Sequence, residues 1–388
     1  MRNYDWEQRK LGDDKDVRDG THDSPKYHQE GHPLVTSKNL NDYGLDMTDV
    51  SLISDADFEA INKRSKVDNG DILFGMIGTI GNPVIVDRSD FAIKNVALIK
   101  EGGDIPNRFL IQLLKSSVFE KYIRNENAGN TQKFLGLSKI REFTFFTPTT
   151  EEQIRIATFF KQLDDTIALH QRKLTLLEQL KQTYLQVMFP QGKESIPKLR
   201  FTDHSEPWEQ RKLGEVGSVV MCKRIFKDQT TAFGDIPFYK IGTFGGSPDS
   251  FIPNDLFEEY KKNYPYPEIG DILMSASGTI GRTVVYEGEK AYYQDSNIVW
   301  LKTDKSLIDN SFLKQFYQVV KWSGLEGSTI KRLYNSNILS TGINLPSLRE
   351  QTKLGTFFNQ IDNTIALHQK KIAHLKALKS TLLNKMFI

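Results

Sequence analysis

The 388 residues hold a single cysteine, Cys222, so no intrachain disulfide can staple the fold, as expected of a protein kept in a reducing cytoplasm. No apolar run approaches the ~18 residues of a membrane span, and the opening Met1-Arg2-Asn3-Tyr4-Asp5-Trp6 has no signal-peptide-like apolar stretch. Strong net charge is lacking too. The formal total is +2, from −3 over residues 1–150, +2 over 151–200, −2 over 201–348 and +5 over 349–388. Bulk composition therefore gives no broad basic face of the kind a nucleic-acid binder carries, and any such face must come from local clusters. Aromatics at 11% and charged residues at 26% exclude a disordered chain. The length supports two domains with cores of their own.

What the sequence does contain is a duplication. Asp5-Trp6-Glu7-Gln8-Arg9-Lys10-Leu11-Gly12 returns as Pro207-Trp208-Glu209-Gln210-Arg211-Lys212-Leu213-Gly214. Gly70-Asp71-Ile72-Leu73 and Gly78-Thr79-Ile80-Gly81 return 200 residues later, and Thr166-Ile167-Ala168-Leu169-His170-Gln171 returns 198 residues later. Two copies of one unit imply two equivalent surfaces and a ligand that itself comes in two halves.

Each half reads as an α/β stretch of about 150 residues followed by one long helix. Strands are expected over 72–74, 84–86 and 92–99, with a helix over 107–124. The second copy repeats this with strands over 272–274, 283–286 and 296–301 and a helix over 311–322. The long helices carry heptads. Phe160, Leu163, Ile167, His170, Leu174, Leu177, Lys181, Tyr184 and Met188 occupy a and d positions. Phe358, Ile361, Ile365, His368, Ile372, Leu375, Lys379, Leu382 and Met386 do so in the second copy. Such a seam predicts an antiparallel coiled-coil pair whose matched polar positions fix register; the alternative is that each helix packs only on its own domain. Pro190-Gln191-Gly192 ends the first helix.

Several motifs invite chemistry. The Gly75…Gly78…Gly81 run lacks the Lys-Ser/Thr of a phosphate loop and the dinucleotide spacing. It reads as a tight β connection needing positive φ, with close approach to a DNA phosphate as the other reading. Pro248-Asp249 with Glu259-Tyr260-Lys261 mimics a Mg²⁺-dependent nuclease set, but 254–262 reads as polar helix or loop, and the first copy has no counterpart. His22, His28 and His32 fit no zinc spacing, and Cys222 has no histidine partner for nucleophilic work. The local clusters are more telling. Thr21, His22, Tyr27, Ser37, Lys38, Asn39 and Lys133 in the first half, and Lys223, Arg224, Lys227, Lys240, Lys331, Arg332 and Tyr334 in the second, combine phosphate-neutralising cations with groups that reach base edges. Lys133 and Lys331 occupy matched positions.

The repeated Trp-Glu-Gln-Arg-Lys-Leu-Gly opening, the Gly-Asp-Ile-Leu…Gly-Thr-Ile-Gly block, the Glu-Gln…Phe-Phe…His-Gln helix and the join Pro197-Lys198-Leu199-Arg200-Phe201 resemble the specificity subunits of type I restriction–modification enzymes. Gly20-Thr21-His22-Asp23-Ser24-Pro25-Lys26-Tyr27 is similar to one subclass of their target-recognition domains. The resemblance covers the whole chain. It implies two tandem α/β target-recognition domains, 1–150 and 201–348. These would be joined by a central spacer helix with linker, 151–200, and a C-terminal spacer helix, 349–388, in a pseudo-two-fold repeat. It further implies double-stranded DNA with a bipartite site as ligand. The expected partners are two methyltransferase subunits and two endonuclease/translocase subunits, with no membrane involved. No cofactor is expected in this chain, since S-adenosylmethionine, ATP and Mg²⁺ belong to the partners. The chain carries no Asn-Pro-Pro-Tyr/Phe motif and no Walker A loop. From Phe160 to Met188 the helix spans about 42 Å, the scale of the ~34–36 Å at which one DNA face recurs. A nuclease using Asp249, Glu259 and Lys261, or a coiled-coil scaffold that reads no sequence, are the competing functions.

Overall fold

The computed structural model describes residues 6–41, 44–78, 80–126, 134–192, 194–324 and 332–387. The chain forms two compact units, one from residues 1–172 with 369–388 and the other from 173–368. The long helices, Thr150–Met188 and Leu348–Met386, each contribute to both units, because their seam residues complete the cores of the globular parts.

In the first unit a four-stranded antiparallel sheet runs in the order Val17–Asp19, Val96–Ile99, Ile72–Gly75, Gly81–Ile85. Its strands look uniformly apolar because both faces are covered. Alternate residues point to opposite faces: Ile72, Phe74, Ala97 and Ile99 join a core with Phe109, Leu113 and Phe119, while Leu73, Val96 and Leu98 join Val35, Val86 and Phe91. A second sheet, Ser51–Ile53, His32–Val35, Ala92–Ile93, lies in the same unit. The strand expected over 92–99 is therefore two strands, because Asn95 adopts φ +55° between them. The helix expected over 107–124 is also two, Asn107–Leu114 and Ser117–Glu126. Ser116 interrupts it by donating its hydroxyl to the Leu113 carbonyl at 2.7 Å, a side-chain competition with helical bonding typical of serine.

The second unit repeats the plan with strands Gly217–Val220, Ile298–Thr303, Ile272–Ser275 and Thr283–Val285. Ile272, Met274, Val299 and Leu301 face one core; Leu273, Ile298 and Trp300 face the other, rich in tyrosine. The strand expected from 296 starts at Ile298, after Ser296 at φ +48°, and the helix ends at Val319 rather than 322.

Helix pairing is visible within each unit. In the first, Phe160, Leu163 and Ile167 share a core with Leu375 and Leu383, and the Lys379 ammonium donates to the Asp164 carboxylate at 2.6 Å. In the second, Lys181 meets Asp362 at 2.6 Å and the Tyr184 and Phe357 rings lie 5.1 Å apart. Rising numbers on one helix meet falling numbers on the other, so the pairing there is antiparallel. Lys181 and Lys379, polar entries in the heptads, are thus ion-paired seam residues at equivalent positions, with Lys314 adding a second contact to Asp362 at 2.9 Å. Leu174 and Ile372 are buried; His170, Leu177, Ile361, Ile365 and His368 are half-buried. No helix among the described residues is long and apolar enough to cross a membrane.

Candidate nucleic-acid interface

The glycine turn organises a polar surface in each unit. Gly78 and Gly81 have φ of +75° and +110°, and Gly278 and Gly281 have +65° and +81°. This is the left-handed backbone expected of a tight connection and disfavoured for residues with a Cβ. Where Gly75 gives way to Ser275, that hydroxyl donates to the Thr279 carbonyl and accepts from the Arg282 N–H, bracing the turn. Chain from a later loop pairs with each turn: Phe134 bridges Ile77, and Arg332 bridges Ser277.

In the first unit Thr21, His22 and Ser37, three of the residues singled out from sequence, converge on Asn95. Gly20 lets the chain pass so close to the neighbouring strand that a Cβ there would sit 2.3 Å from the Ile93 carbonyl oxygen. This delivers Thr21, which bridges Lys94, and His22. The His22 ring bonds Asn95 Oδ1 through Nδ1 at 2.8 Å and the Asp19 carboxylate through Nε2 at 3.0 Å, and Arg64 also pairs with Asp19. The bonds to Asn95 and Asp19 hold the imidazole above the ordinary histidine range. The Ser37 hydroxyl donates to the Asn95 carbonyl at 3.3 Å, and Lys94 reaches Ser24 at 2.7 Å. Lys38 is exposed beside Asp49, and Tyr27 is 58% exposed. Asn39 is different: it is buried, accepts from the Thr36 N–H and donates to the carbonyls of Asp46 and Asp49, so its amide is spent on holding its own loop.

In the second unit Arg332 donates to the Ser296 carbonyl at 3.0 Å and lies over the exposed Tyr334 ring. Arg224 approaches Asp295 at 4.0 Å and covers Phe226. Lys223 sits 4.9 Å from the Tyr264 ring centre, Lys227 is exposed, and Lys240 pairs with Asp249 at 2.9 Å. The Ser277 hydroxyl donates to Asn297 Oδ1 at 2.8 Å. Lys133 and Lys331 lie outside the described residues. Asn95, on which the first network centres, and Asn297, which accepts from Ser277, are not among the residues singled out from sequence. The available signal was a polar interruption of an otherwise apolar strand by asparagine, a residue that tolerates left-handed backbone.

The other motifs disperse. Glu259 and Lys261 lie on the helix Asn254–Asn263, with Lys261 over the Phe257 and Tyr266 rings, and Asp249 is held by Lys240. His32 stacks on Phe58 with ring centres 3.9 Å apart and bonds Asp55, away from the network of His22. Among the described residues no group of three His, Cys, Asp or Glu side chains is placed to hold a metal. Cys222 is buried, and burial pushes its thiol up to about 12, far from a reactive thiolate.

Known proteins share the fold, and a family model matches both copies of the repeat. The family model of the type I restriction modification DNA specificity domain matches residues 3–179 and again 205–377. A putative type I restriction enzyme specificity subunit of Haemophilus influenzae is 40% identical over 272 residues, 70% of this chain and 68% of that one. A putative type I restriction enzyme specificity subunit of Methanocaldococcus jannaschii is 23% identical over 403 residues, covering 98% of this chain and 92% of its own length. Among solved structures, the S subunit of a type I restriction–modification system from M. genitalium matches with a TM-score of 0.65 at 14% identity, covering all of this chain and 97% of that one. A chain from a structure of type I restriction–modification complex assembly matches with 0.56 at 18% identity, covering 97% and 96%. With its two copies of that domain, the chain belongs to the family of type I restriction–modification DNA specificity proteins.

Proposed function

We propose that this chain is the non-catalytic DNA-reading subunit of a cytoplasmic type I restriction–modification complex. Each unit reads one half of a bipartite double-stranded site, with the long helices setting the separation of the half-sites. The observation that carries this reading is the duplicated family match over two units whose polar surfaces are differently furnished around the same glycine turn. A pair of equal sites would repeat its side chains; here the matched Asn95 and Asn297 have different partners, His22 in one copy and Ser277 in the other. Thr21, His22, Tyr27 and Lys38 serve one half-site. Lys223, Arg224, Lys227, Lys240, Arg332 and Tyr334 serve the other, with Lys133 and Lys331 assigned to phosphates. The chemistry is left to two methyltransferase subunits using S-adenosylmethionine and two endonuclease/translocase subunits using ATP and Mg²⁺. Exposed leucines on the long helices support partner docking: Leu169 and Leu378 in the first unit, and Leu176, Leu180 and Leu367 in the second, are each at least 40% exposed.

Methylome sequencing of strains with and without the gene tests the reading. The expected result is a bipartite methylated motif that disappears with the gene; identical methylomes would overturn it. Lengthening both long helices by one turn should widen the spacer and leave both half-sites unchanged.

A further inference from the structure

We propose that Asn95 and Asn297 are matched base-reading side chains, each offering only its amide N–H₂ group, as a donor, to an acceptor edge in the DNA major groove. The inference rests on the DNA-reading function above and adds the residue and the polarity of the contact. Both residues sit where the strand that pairs with the glycine-turn strand begins. Asn95 stands immediately before Val96–Ile99, and Asn297 immediately before Ile298–Thr303. Both breaks are made by left-handed backbone, at Asn95 itself (φ +55°) and at Ser296 (φ +48°). Left-handed backbone at a residue other than glycine costs free energy, so its appearance at the same break in both copies needs a reason.

The hydrogen bonds supply one. In both units the carboxamide oxygen already faces a protein group: His22 Nδ1 at 2.8 Å in the first, which donates when the imidazole carries both protons, and the Ser277 hydroxyl, a donor, at 2.8 Å in the second. Neither Nδ2 has a partner among the described residues, and neither residue is fully buried. An asparagine with both ends free pairs bidentately with adenine, accepting from N6 while donating to N7. With Oδ1 occupied that pairing is closed. What remains is a fixed N–H₂ donor, which suits guanine O6 and N7, thymine O4 or adenine N7 singly, and meets only the N4–H₂ of cytosine donor against donor. Cations lie in both networks: Lys94 precedes the first asparagine and Arg64 pairs with the Asp19 that holds His22, while Arg332 bonds the Ser296 carbonyl beside the second and Arg224 approaches Asp295. The two clamps also differ, a ring in one copy and a hydroxyl in the other, so the amides are held in the same polarity by unrelated means.

The test uses the full chain co-expressed with its partner subunits, and reads the methylome of the wild type and of Asn95→Asp, Asn95→Gly and Asn297→Asp. The aspartate swaps the donor for an acceptor at the same size. The glycine keeps left-handed backbone accessible while removing the amide, so it separates lost recognition from a disturbed turn. Each first-unit variant should cut methylation at the wild-type motif by about tenfold or more, in line with loss of one base contact, or change one position whose contacted base is guanine, thymine or adenine and not cytosine. The change should lie in one half of the motif for the Asn95 variants and in the other half for Asn297→Asp. Purified complex binding to duplexes in which one half-site is replaced should show the same division. Wild-type motif and extent in all three variants, or changes falling in the same half for both residues, would overturn the inference while leaving the DNA-reading function standing. A wild type with no bipartite motif would overturn that function itself.

Discussion

Arg200 is the side chain whose removal should be felt most sharply in the second unit. It lies in the join between the repeats, yet its guanidinium forks onto the Glu350 carboxylate with Nε–Oε1 and Nη2–Oε2 distances of 2.7 and 2.8 Å. Glu350 is 1% exposed and Arg200 12%, so the pair is desolvated and ties the join to the start of the C-terminal helix. Arg200→Ala leaves the buried carboxylate without its guanidinium, with His204 Nδ1 4.0 Å away as a poorer neighbour, at a cost of about 3–5 kcal/mol. Nη1 of Arg200 is buried without a hydrogen-bond partner, so the intact pair is incompletely satisfied and its net contribution is smaller than the cost of breaking it. Replacing both residues with apolar ones, Arg200→Met with Glu350→Leu, should therefore recover all but about 1 kcal/mol of the loss. Tryptophan fluorescence during urea unfolding is a suitable assay, because Trp208, Trp300 and Trp322 are buried in the second unit. With an m-value of about 2–3 kcal/mol per molar urea, the single variant should lower the midpoint by about 1–2 M. A shift below about 0.3 M, or a double variant no more stable than the single, would refute the reasoning.

Three further outcomes can be measured. The His22 imidazole should titrate above 6.5 in a proton NMR pH series. Its bonds to Asn95 and Asp19 favour the cation, so their stabilising contribution is complete below about 6.5 and fades as pH rises through the higher folded value; a midpoint at or below 6.5 contradicts the geometry. The Cys222 thiol, pushed up to about 12 by burial, should ignore an aromatic disulfide reagent at pH 8 until the chain is unfolded, and stoichiometric labelling of native protein would count against its placement. Gly355→Ala should destabilise the second unit by about 1–3 kcal/mol in the same urea assay, because the new Cβ would lie 1.8 Å from Ser311 Oγ and 2.6 Å from its Cβ. The equivalent position in the first unit already holds a buried alanine, Ala157.

The frame was legible because it is periodic. Heptads located the long helices, and the identity of Lys181 and Lys379 at equivalent seam positions pointed to a register device before their aspartate partners were known. The glycine spacing announced the turn. What sequence could not reveal was where regularity is broken on purpose. Asn95 and Ser116 each divide an element that composition alone makes continuous, one by adopting left-handed backbone and the other by turning its hydroxyl onto the helix. Candidate residues could be picked from sequence as polar and basic clusters, but not their arrangement: Asn39 is consumed by its own backbone, whereas Asn95, hidden in an apolar run, bonds His22 and Ser37. Polarity says which side chains can bond, and only the fold says which of their bonds are already made.

The sheet explains how one half of each unit is kept while the other diverges, and it constrains how specificity can be moved. Ile72 and Phe74 face the core shared with the long helices and Leu73 faces the other; Ile272, Met274 and Leu273 divide in the same way. The helix-side cores are alike in kind, but the opposite core is mainly aliphatic in the first unit, with Val35, Val67, Val84 and Val86, and aromatic in the second, with Tyr286, Tyr292, Tyr293 and Trp300. Divergence therefore reaches down to the residues beneath the candidate interface and is not confined to its loops. Grafting surface loops alone would set them on a support of the wrong volume, an error of overpacking or cavity formation costing about 1–5 kcal/mol per misfitted residue. Carrying the whole sheet, from Val17 through Ile99 or from Gly217 through Thr303, keeps each strand's two faces with the cores they were built for. A chimaera cut at those strand ends should retain cooperative unfolding and transfer its half-site, whereas a loop-only chimaera should lose both, and equal stability of the two designs would show that the opposite core does not shape the interface above it.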